Sequence, residues 1–352
     1  MPTRSGQNEK VFGVLTTIAE PTECARHLHS FCPTVFQRLI VIGDKKGPQR
    51  YPLTHAHFSS LPEQQKLEFD LAESLPVNHY SRKNLGFLIA LQQGATVIYE
   101  TDDDTMPTDD WILREETQTV RSVKGKKWAN VFRQFSDDRI WPRGLPLDEL
   151  NCEDEIQGTP LQAKAPIQQG MIDLSPDVDA IWRLVFGHEV YFKPGESVAI
   201  EPGTWCPFNS QNTWWRKDAF PLMYLPSHCD FRATDIWRGF IAQRCLWELG
   251  LGVVFHGPDT IQHRNVHNLM TDFKSEVSGY LRNQEITDHL ASLSLKSGTE
   301  NVSWNLIRCY EKLCQEDVFP DHELELVRNW VADLESIDSS NRQIIGRSKK
   351  AA

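Results

Sequence analysis

The sequence predicts an α/β fold, a mostly parallel sheet flanked by helices with a helical extension at its C-terminal end. Three observations predict it. First, a β-branched run from Val11 to Ile18 is followed by a short helical stretch and a second such run, Arg38 to Asp44. Strand, helix, strand with short connections opens a parallel sheet. Second, a helical pattern with apolar residues at 85, 88, 89 and 91 leads directly into Val97-Ile98-Tyr99-Glu100, a run suited to a buried strand. Third, from Ile286 onward apolar residues recur at helical spacing with no further strand signal.

Taken in order, Val11 to Ile18 is the first strand, and Pro21 with Thr22 opens a helix carrying Cys24 to Phe31. The second strand ends in the Gly43-Asp44 turn. Residues 61–75 are polar with scattered leucines and read as helix or loop. The helix over 80–94 is preceded by Arg82 and Lys83 and stopped by Gly94. Residues 151–169 are polar and irregular, which predicts a surface loop. Order resumes at Gln169 with a strand, a Ser175-Pro176 cap and a helix through Leu184. The stretch from Gly203 to Arg216 sets amides and hydroxyls between aromatics, a composition that suits either a sugar site or a hairpin with a polar face. Thr234 is expected to cap a strong helix that ends at Gly250, with its buried stripe at 236, 237, 240, 241 and 246. Val253 to Gly257 is a strand, followed by a polar loop containing His263. Helices are expected around Trp304 to Leu313 and Leu324 to Trp330, and a disordered polar tail from Ser336. The domain reading is a catalytic domain over 9–280, a helical extension over 281–335 and a tail over 336–352.

The chemistry concentrates after Glu100. Three consecutive carboxylates, Asp102, Asp103 and Asp104, fall at the C-terminal edge of a strand, where open α/β sheets bind ligands. Strand alternation is expected to put Asp102 and Asp104 on one side and Asp103 on the other. Two acids on one side call for a cation, and carboxylate oxygens suit Mg²⁺ or Mn²⁺, which commonly also hold substrate phosphates. An acidic turn facing solvent is the plainer alternative. Thr16, Thr17 and Asp44 end the first two strands, where they either contact a base and ribose or act as ordinary strand-end polar groups. Arg82 and Lys83 either face a diphosphate or lie on a solvated helix start. Asn84 falls in the same stretch. Arg143 sits in a rigid Trp-Pro-Arg-Gly turn, and Asp235 opens its helix or faces a substrate.

Composition narrows the classes. A net charge of −11 disfavours a nucleic-acid binder. The eight cysteines form no CxxC pair and no zinc spacing, which predicts free thiols in a reducing, cytoplasmic setting, with Cys24/Cys32 and Cys309/Cys314 open as pairs. No signal peptide and no membrane-spanning run are expected from the chain as it stands. The eleven tryptophans suit either a core or stacking on sugars and bases, so their count alone decides nothing.

Several motifs then line up in order. They are Lys83-Asn84-Leu85-Gly86, Glu100-Thr101-Asp102-Asp103-Asp104, Trp141-Pro142-Arg143-Gly144, Gln169-Gly170 with Pro176 to Ala180, Pro207 to Thr213, and Asp235-Ile236-Trp237-Arg238-Gly239. With these the chain, over roughly residues 11–270, resembles the STELLO family of glycosyltransferases. More distantly it is similar to the reversibly glycosylated polypeptides, the plant UDP-arabinopyranose mutases. The resemblance implies a GT-A fold in which the aspartate motif holds Mn²⁺ or Mg²⁺ on a nucleotide-diphosphate sugar, UDP-sugars favoured. It implies His263 as a third metal ligand beside Asp102 and Asp104, and Asp235 near the sugar or acceptor. It also implies a Golgi-lumen setting if an anchor has been removed.

The expected function is therefore a metal-dependent glycosyltransferase with an unknown glycan, protein or small-molecule acceptor. Asp235 and Asp103 are its catalytic candidates, and Asn209, Gln211 and Asn212 are expected to line the sugar site. Two rivals stand beside it. A nucleotide-sugar mutase would need a glycosylated arginine, for which Arg143 is a candidate. A catalytically silent scaffold would keep the fold without metal-dependent nucleotide binding.

Overall fold

The computed structural model describes residues 9–152, 154–263 and 268–351. The sheet is built on β1 (Val11–Thr17), β2 (Arg38–Gly43), β3 (Ala56–Ser59) and β4 (Val97–Glu100), which lie in the order β3-β2-β1-β4, all parallel. Helix α1 (Glu23–Ser30) links β1 to β2. Two short helices, α2 (Leu61–Gln64) and α3 (Asp70–Ser74), precede α4 (Lys83–Gln92), which links back to β4. Alternation along the strands explains the two layers. Phe12, Val14, Ile40, Ile42 and Ile98 belong to the core around α4, while Val11, Leu15, Leu39, Val41 and Tyr99 belong to a second core with Ala25 and Leu28 of α1. Gly86 lets α4 approach closely: a Cβ there would meet Val14 Cγ1 at 2.6 Å.

The far half of the sheet is mixed. After β5 (Thr105–Pro107) and β6 (Thr117–Gly125) come β7 (Asp154–Lys164), β8 (Ile167–Asp173), the short helix α5 (Ala180–Val185), β9 (Val198–Ile200) and β10 (Thr213–Arg216). Then follow α6 (Thr234–Trp247), β11 (Val254–Gln262), α7 (Leu269–Ala291), α8 (Val302–Gln315) and α9 (Asp321–Ala351). Strand β10 pairs antiparallel with both β4 and β8, and β8 runs parallel to β11. Beyond them lie β9, β6 and β7, with β5 pairing to β11 off the main path.

Several expectations change. The loop expected over 151–169 instead contains β7, an edge strand hydrogen-bonded to β6 and exposed along most of its length. With no apolar alternation it carried no strand signal. The cap of α5 is Asp179, which accepts from Trp182 N, rather than Ser175. Thr234 is the first residue of α6, and its N-cap position is Ala233. The tail expected from Ser336 continues α9: Ile337 is buried and the Asn341 amide reaches Leu91 O of α4. Docking against α4 overrides the polar composition there. None of the eight cysteines, all among the described residues, forms a disulfide.

The C-terminal helices share the main core, with Leu306, Tyr310 and Trp330 in the same cluster as Leu88 and Phe240. One contact ties them to the sheet edge. Glu323 of α9 is fully buried and accepts from Tyr224 Oη at 2.6 Å, Ser227 N at 3.1 Å and His228 N at 2.9 Å. Ser227 in turn donates to Ser81 Oγ at 2.9 Å, beside the start of α4. No helix among the described residues is long and apolar enough to cross a membrane.

Candidate active site

Strand β4 ends at Glu100, so the three aspartates lie in the turn that follows and strand alternation does not apply to them. Each engages a different element. Asp102 Oδ1 accepts from Lys83 Nζ at 2.8 Å, Asp103 Oδ2 from Thr17 Oγ1 at 2.5 Å, and Asp104 Oδ2 from Gln262 Nε2 at 3.1 Å. The turn is thereby pinned to α4, β1 and β11. Thr22 reinforces the second link, since its hydroxyl caps α1 and also donates to Asp103 O at 2.5 Å.

The carboxylates act on one another. Burial pushes the Asp103 carboxyl up, and the neighbouring Asp102 adds to it. Asp104 is pushed up to about 6 by burial and then by the charge of Asp102. These are oxygen donors held close together with like charge, the condition a hard divalent cation relieves. Among the described residues, Asp102 Oδ2 and Asp104 Oδ1 take part in none of the bonds above. Their chemistry fits Mg²⁺ or Mn²⁺. No three His, Cys, Asp or Glu side chains among the described residues already form a ligand cluster. A cation would draw its remaining positions from water and substrate oxygens, as Mg²⁺ usually does. His263 is exposed and directly follows Gln262, the residue that touches Asp104.

Beside the turn, a cleft of about 220 Å³ opens at the C-terminal ends of β1 and β2. It brings together five residues singled out in the sequence: Thr16, Thr17, Asp44, Arg82 and Asp103. Asp103 is therefore shared by the cleft and the acidic turn. Sequence reasoning missed His79, Tyr80 and Phe231, which also line the cleft. Phe231 comes from the loop before α6, is 54% exposed, and packs edge-on to Tyr80 at 4.7 Å between ring centres. No local pattern marks a residue of that loop as a wall for strands about 190–215 positions earlier.

Other candidates are used inside the protein. Lys83 is fully buried and holds Asp102 and Thr101 O, so it positions the acidic turn rather than facing a diphosphate. Asn84 is buried with both ends of its amide on the backbone of Leu225, each at 2.8 Å. Asn84→Ala would leave Leu225 N–H and C=O unpaired, at about 1–3 kcal/mol for each buried group. A denaturation midpoint unchanged from wild type would contradict this assignment. Asn212 donates to Asp259 Oδ1 at 2.7 Å and Thr260 Oγ1 at 3.0 Å and accepts from Tyr99 Oη, which removes it from the sugar-site candidates. Asn209 is likewise spent on Asp177, Gln169 and Gln211 N. Gln211 remains: its Oε1 is buried with no partner among the described residues.

Asp235 and Arg143 form a second buried network at the same sheet edge. Arg143 Nη2 donates to Asp235 at 2.9 Å and to Asp177 at 2.8 Å, and its Nε donates to Asp177 at 2.8 Å. Asp235 also accepts from Ser210 N at 3.2 Å and Ile236 N at 3.1 Å. Burial pushes the Asp177 carboxyl up, but the Arg143 guanidinium outweighs it and holds Asp177 below the usual carboxylate range. With Arg143 Nη2, Ser210 N–H and Ile236 N–H on its carboxylate, Asp235 orients the 209–212 loop. Nor is the buried Arg143 free to be modified. Next to this network, Glu100 is fully buried, accepting from Arg238 Nη1 at 2.8–2.9 Å and from Trp215 Nε1 at 2.8 Å. This buried pair staples α6 to β4.

Comparison with known proteins agrees with the sequence motifs. Residues 232–352 match the family model described as STELLO glycosyltransferases. The chain is 27% identical over 359 residues to "Probable glycosyltransferase STELLO1" of Arabidopsis thaliana, covering 95% of this chain and 45% of that protein. It is 32% identical over 255 residues to "Probable glycosyltransferase STELLO2" of the same plant, covering 64% of this chain and 32% of that protein. The chain thus spans less than half the length of these curated relatives. A solved structure described as "Crystal Structure of a Mycobacterial Protein" aligns over 78% of this chain and 74% of that one, with TM-score 0.42 and 11% identity.

Proposed function

This chain is a relative of the STELLO glycosyltransferases, and on that premise we propose that it transfers a sugar from a nucleotide-diphosphate sugar with the help of a divalent cation. One observation carries the reading. The cleft at the ends of β1 and β2 shares Asp103 with an acidic turn whose other two aspartates each keep one oxygen outside the bonds described above. A nucleoside fits the cleft against Thr16, Thr17, Asp44 and Arg82, and its diphosphate then passes beside Asp103 toward Asp102 and Asp104. Those two hold Mn²⁺ or Mg²⁺, with His263 as a further candidate ligand. When bound, the cation neutralises charge developing on the leaving diphosphate. The protein's own part is positional. Lys83 fixes Asp102, Gln262 fixes Asp104, and Thr17 ties Asp103 to the cleft. Gln211, with its buried Oε1, is the remaining candidate to read a sugar hydroxyl.

Two rivals are weaker. The mutase reading needs an accessible arginine, and Arg143 lies buried between two carboxylates. The scaffold reading gives no reason for three pinned, mutually repelling aspartates beside a cleft.

A thermal-shift screen separates the three readings. UDP-, GDP-, CDP- and ADP-sugars are each assayed with and without Mn²⁺. Ligand at a hundred times its dissociation constant stabilises by about 2.7 kcal/mol. The expected result is a shift that needs both the cation and a nucleotide sugar. Conversion of the bound sugar nucleotide to an isomer without an acceptor would identify a mutase, and no shift with any ligand would favour the scaffold.

A further inference from the structure

Away from the donor cleft, one buried histidine is held as a base toward a serine hydroxyl. His256 of β11 is 2% exposed, with Gln168 of β8 on one side and Ser197, just before β9, on the other. Its Nε2 meets Gln168 Oε1 at 2.9 Å and its Nδ1 meets Ser197 Oγ at 2.6 Å. The direction of both bonds follows from the backbone. Gln168 Nε2 donates to Glu115 O at 2.8 Å and Ala165 O at 3.0 Å, and a carbonyl oxygen can only accept. That fixes the amide, so Gln168 turns its oxygen to His256 and the ring proton sits on Nε2. Nδ1 is then the bare nitrogen, and the Ser197 hydroxyl donates to it.

Three further features set this apart from a histidine that merely fills the core. The pairing of β8 with β11 slips directly after His256, an irregularity of the kind that re-aims side chains beside functional sites. Lys193 to Glu196, which lead into Ser197, are exposed and Ser197 itself is half-buried, so the hydroxyl stands where the sheet meets solvent. Burial, and then the charge of Arg114, hold the imidazole well below the usual histidine range, which keeps it neutral near pH 7.

We propose that Ser197 is a nucleophile, activated by His256 and held in line through Gln168, that takes an acyl group from an activated ester. The hydroxyl oxygen attacks the ester carbonyl carbon while its proton passes to His256 Nδ1. The new Ser197 Oγ–C bond then replaces the bond from that carbon to the leaving oxygen, which takes the proton from Nδ1. Nucleophile, base and a third group that orients the base are the parts this chemistry needs. An acyl group fits better than a phosphoryl group, whose transfer relies on cations. The nearby arginines, Arg114 and Arg121, are paired with Asp259 and Glu196. The site is independent of the donor cleft, since His256 precedes Gln262, the contact of Asp104, by about 20 Å of strand.

Incubating the whole protein with p-nitrophenyl acetate and mapping the acetylated peptides by mass spectrometry tests it. The expected result is acetylation at Ser197 that is absent in Ser197→Ala. In His256→Gln it is about a hundred-fold slower, the low end of what a positioned general base contributes. The wild-type rate at Ser197 rises as His256 loses its proton, with a midpoint below the ordinary histidine value of about 6.5, and then levels. No acetylation at Ser197, acetylation no faster than at the protein's other serines, equal rates in wild type and His256→Gln, or a rate that climbs with hydroxide without levelling overturns the proposal. Nitrogen NMR of the wild-type histidine rings gives a test that no variant's folding can confuse. A protonated Nε2 and a bare Nδ1 at His256 are expected. A proton on Nδ1 overturns the proposal, because the ring then has no lone pair for the hydroxyl.

Discussion

Arg143→Met lowers stability by about 3–5 kcal/mol, the cost expected when one partner of a buried ionic cluster is removed. The side chain lies between Asp177 and Asp235, is some nine-tenths buried, and donates to both. Methionine fills much of the volume, so the loss comes from Asp235 left without its cation and Asp177 left with only Arg232, at 3.8 Å. At about 2–4 °C per kcal/mol for larger domains, the melting midpoint falls by roughly 6–20 °C. The pH dependence distinguishes this cause from a packing defect. In the wild type, Asp177 has a depressed pKa, so its stabilisation is present above the unfolded value near 4 and is lost as pH falls through the folded one. In the variant, burial is no longer outweighed by Arg143 and pushes the Asp177 carboxyl up, with Arg232 at 3.8 Å the remaining cation beside it. The variant then gains stability as pH falls from about 7 toward 4, and its gap to wild type narrows. A gap that stays constant over that window contradicts the ionic account. Replacing Asp177 and Asp235 by asparagine in the same variant restores part of the loss.

Asp104→Asn has the largest expected effect on activity. The substitution keeps size and the contact to Gln262 while removing the charge available to a cation. Losing several kcal/mol of electrostatic stabilisation of the leaving group lowers transfer by roughly 10²–10⁴-fold. Folding is not impaired, because Asp104 is itself pushed up to about 6 by burial and by Asp102, and a neutral amide relieves that repulsion. The circular dichroism spectrum and melting midpoint therefore match or exceed wild type while sugar transfer is lost. Transfer within three-fold of wild type rules out Asp104 as a metal ligand.

Legibility followed the range of the interactions. The opening strands, α1, α4 and β4 were readable because their patterns are local: β-branched runs, a Thr22 cap, a glycine stop. Thr16, Thr17, Asp44 and Asp103 were readable as candidates because they end or follow the first strands and β4, and Arg82 because it opens α4. The helix pair beyond residue 300 was legible for a similar reason. By contrast, β7 has polar residues on both faces and left no signal. The fate of Asn84 depends on Leu225, 141 positions away, and that of Asp235 on Arg143, 92 positions away. A polar residue in a motif shows that something binds it, but not whether the partner is a ligand or the protein's own backbone. Asn84, Asn209, Asn212, Arg143 and Asp235 all proved to have internal partners, while His79 and Phe231 reach the cleft from connecting segments with no pattern of their own.

The buried Glu323 has a consequence for the order of events during synthesis. Segments near the N-terminus tend to fold first as a chain emerges, and β1 to β4 with α4 have the local contacts to do so. The 224–228 segment cannot finish with them, since its backbone donors and the Tyr224 hydroxyl wait for a carboxylate almost a hundred residues downstream. That segment steadies the start of α4 through Ser81 and leads into Phe231 at the rim of the cleft. A ribosome-bound chain lacking α9 therefore holds a sheet with an unfinished wall, and on the proposed reading nucleotide binding waits until α9 has emerged and docked.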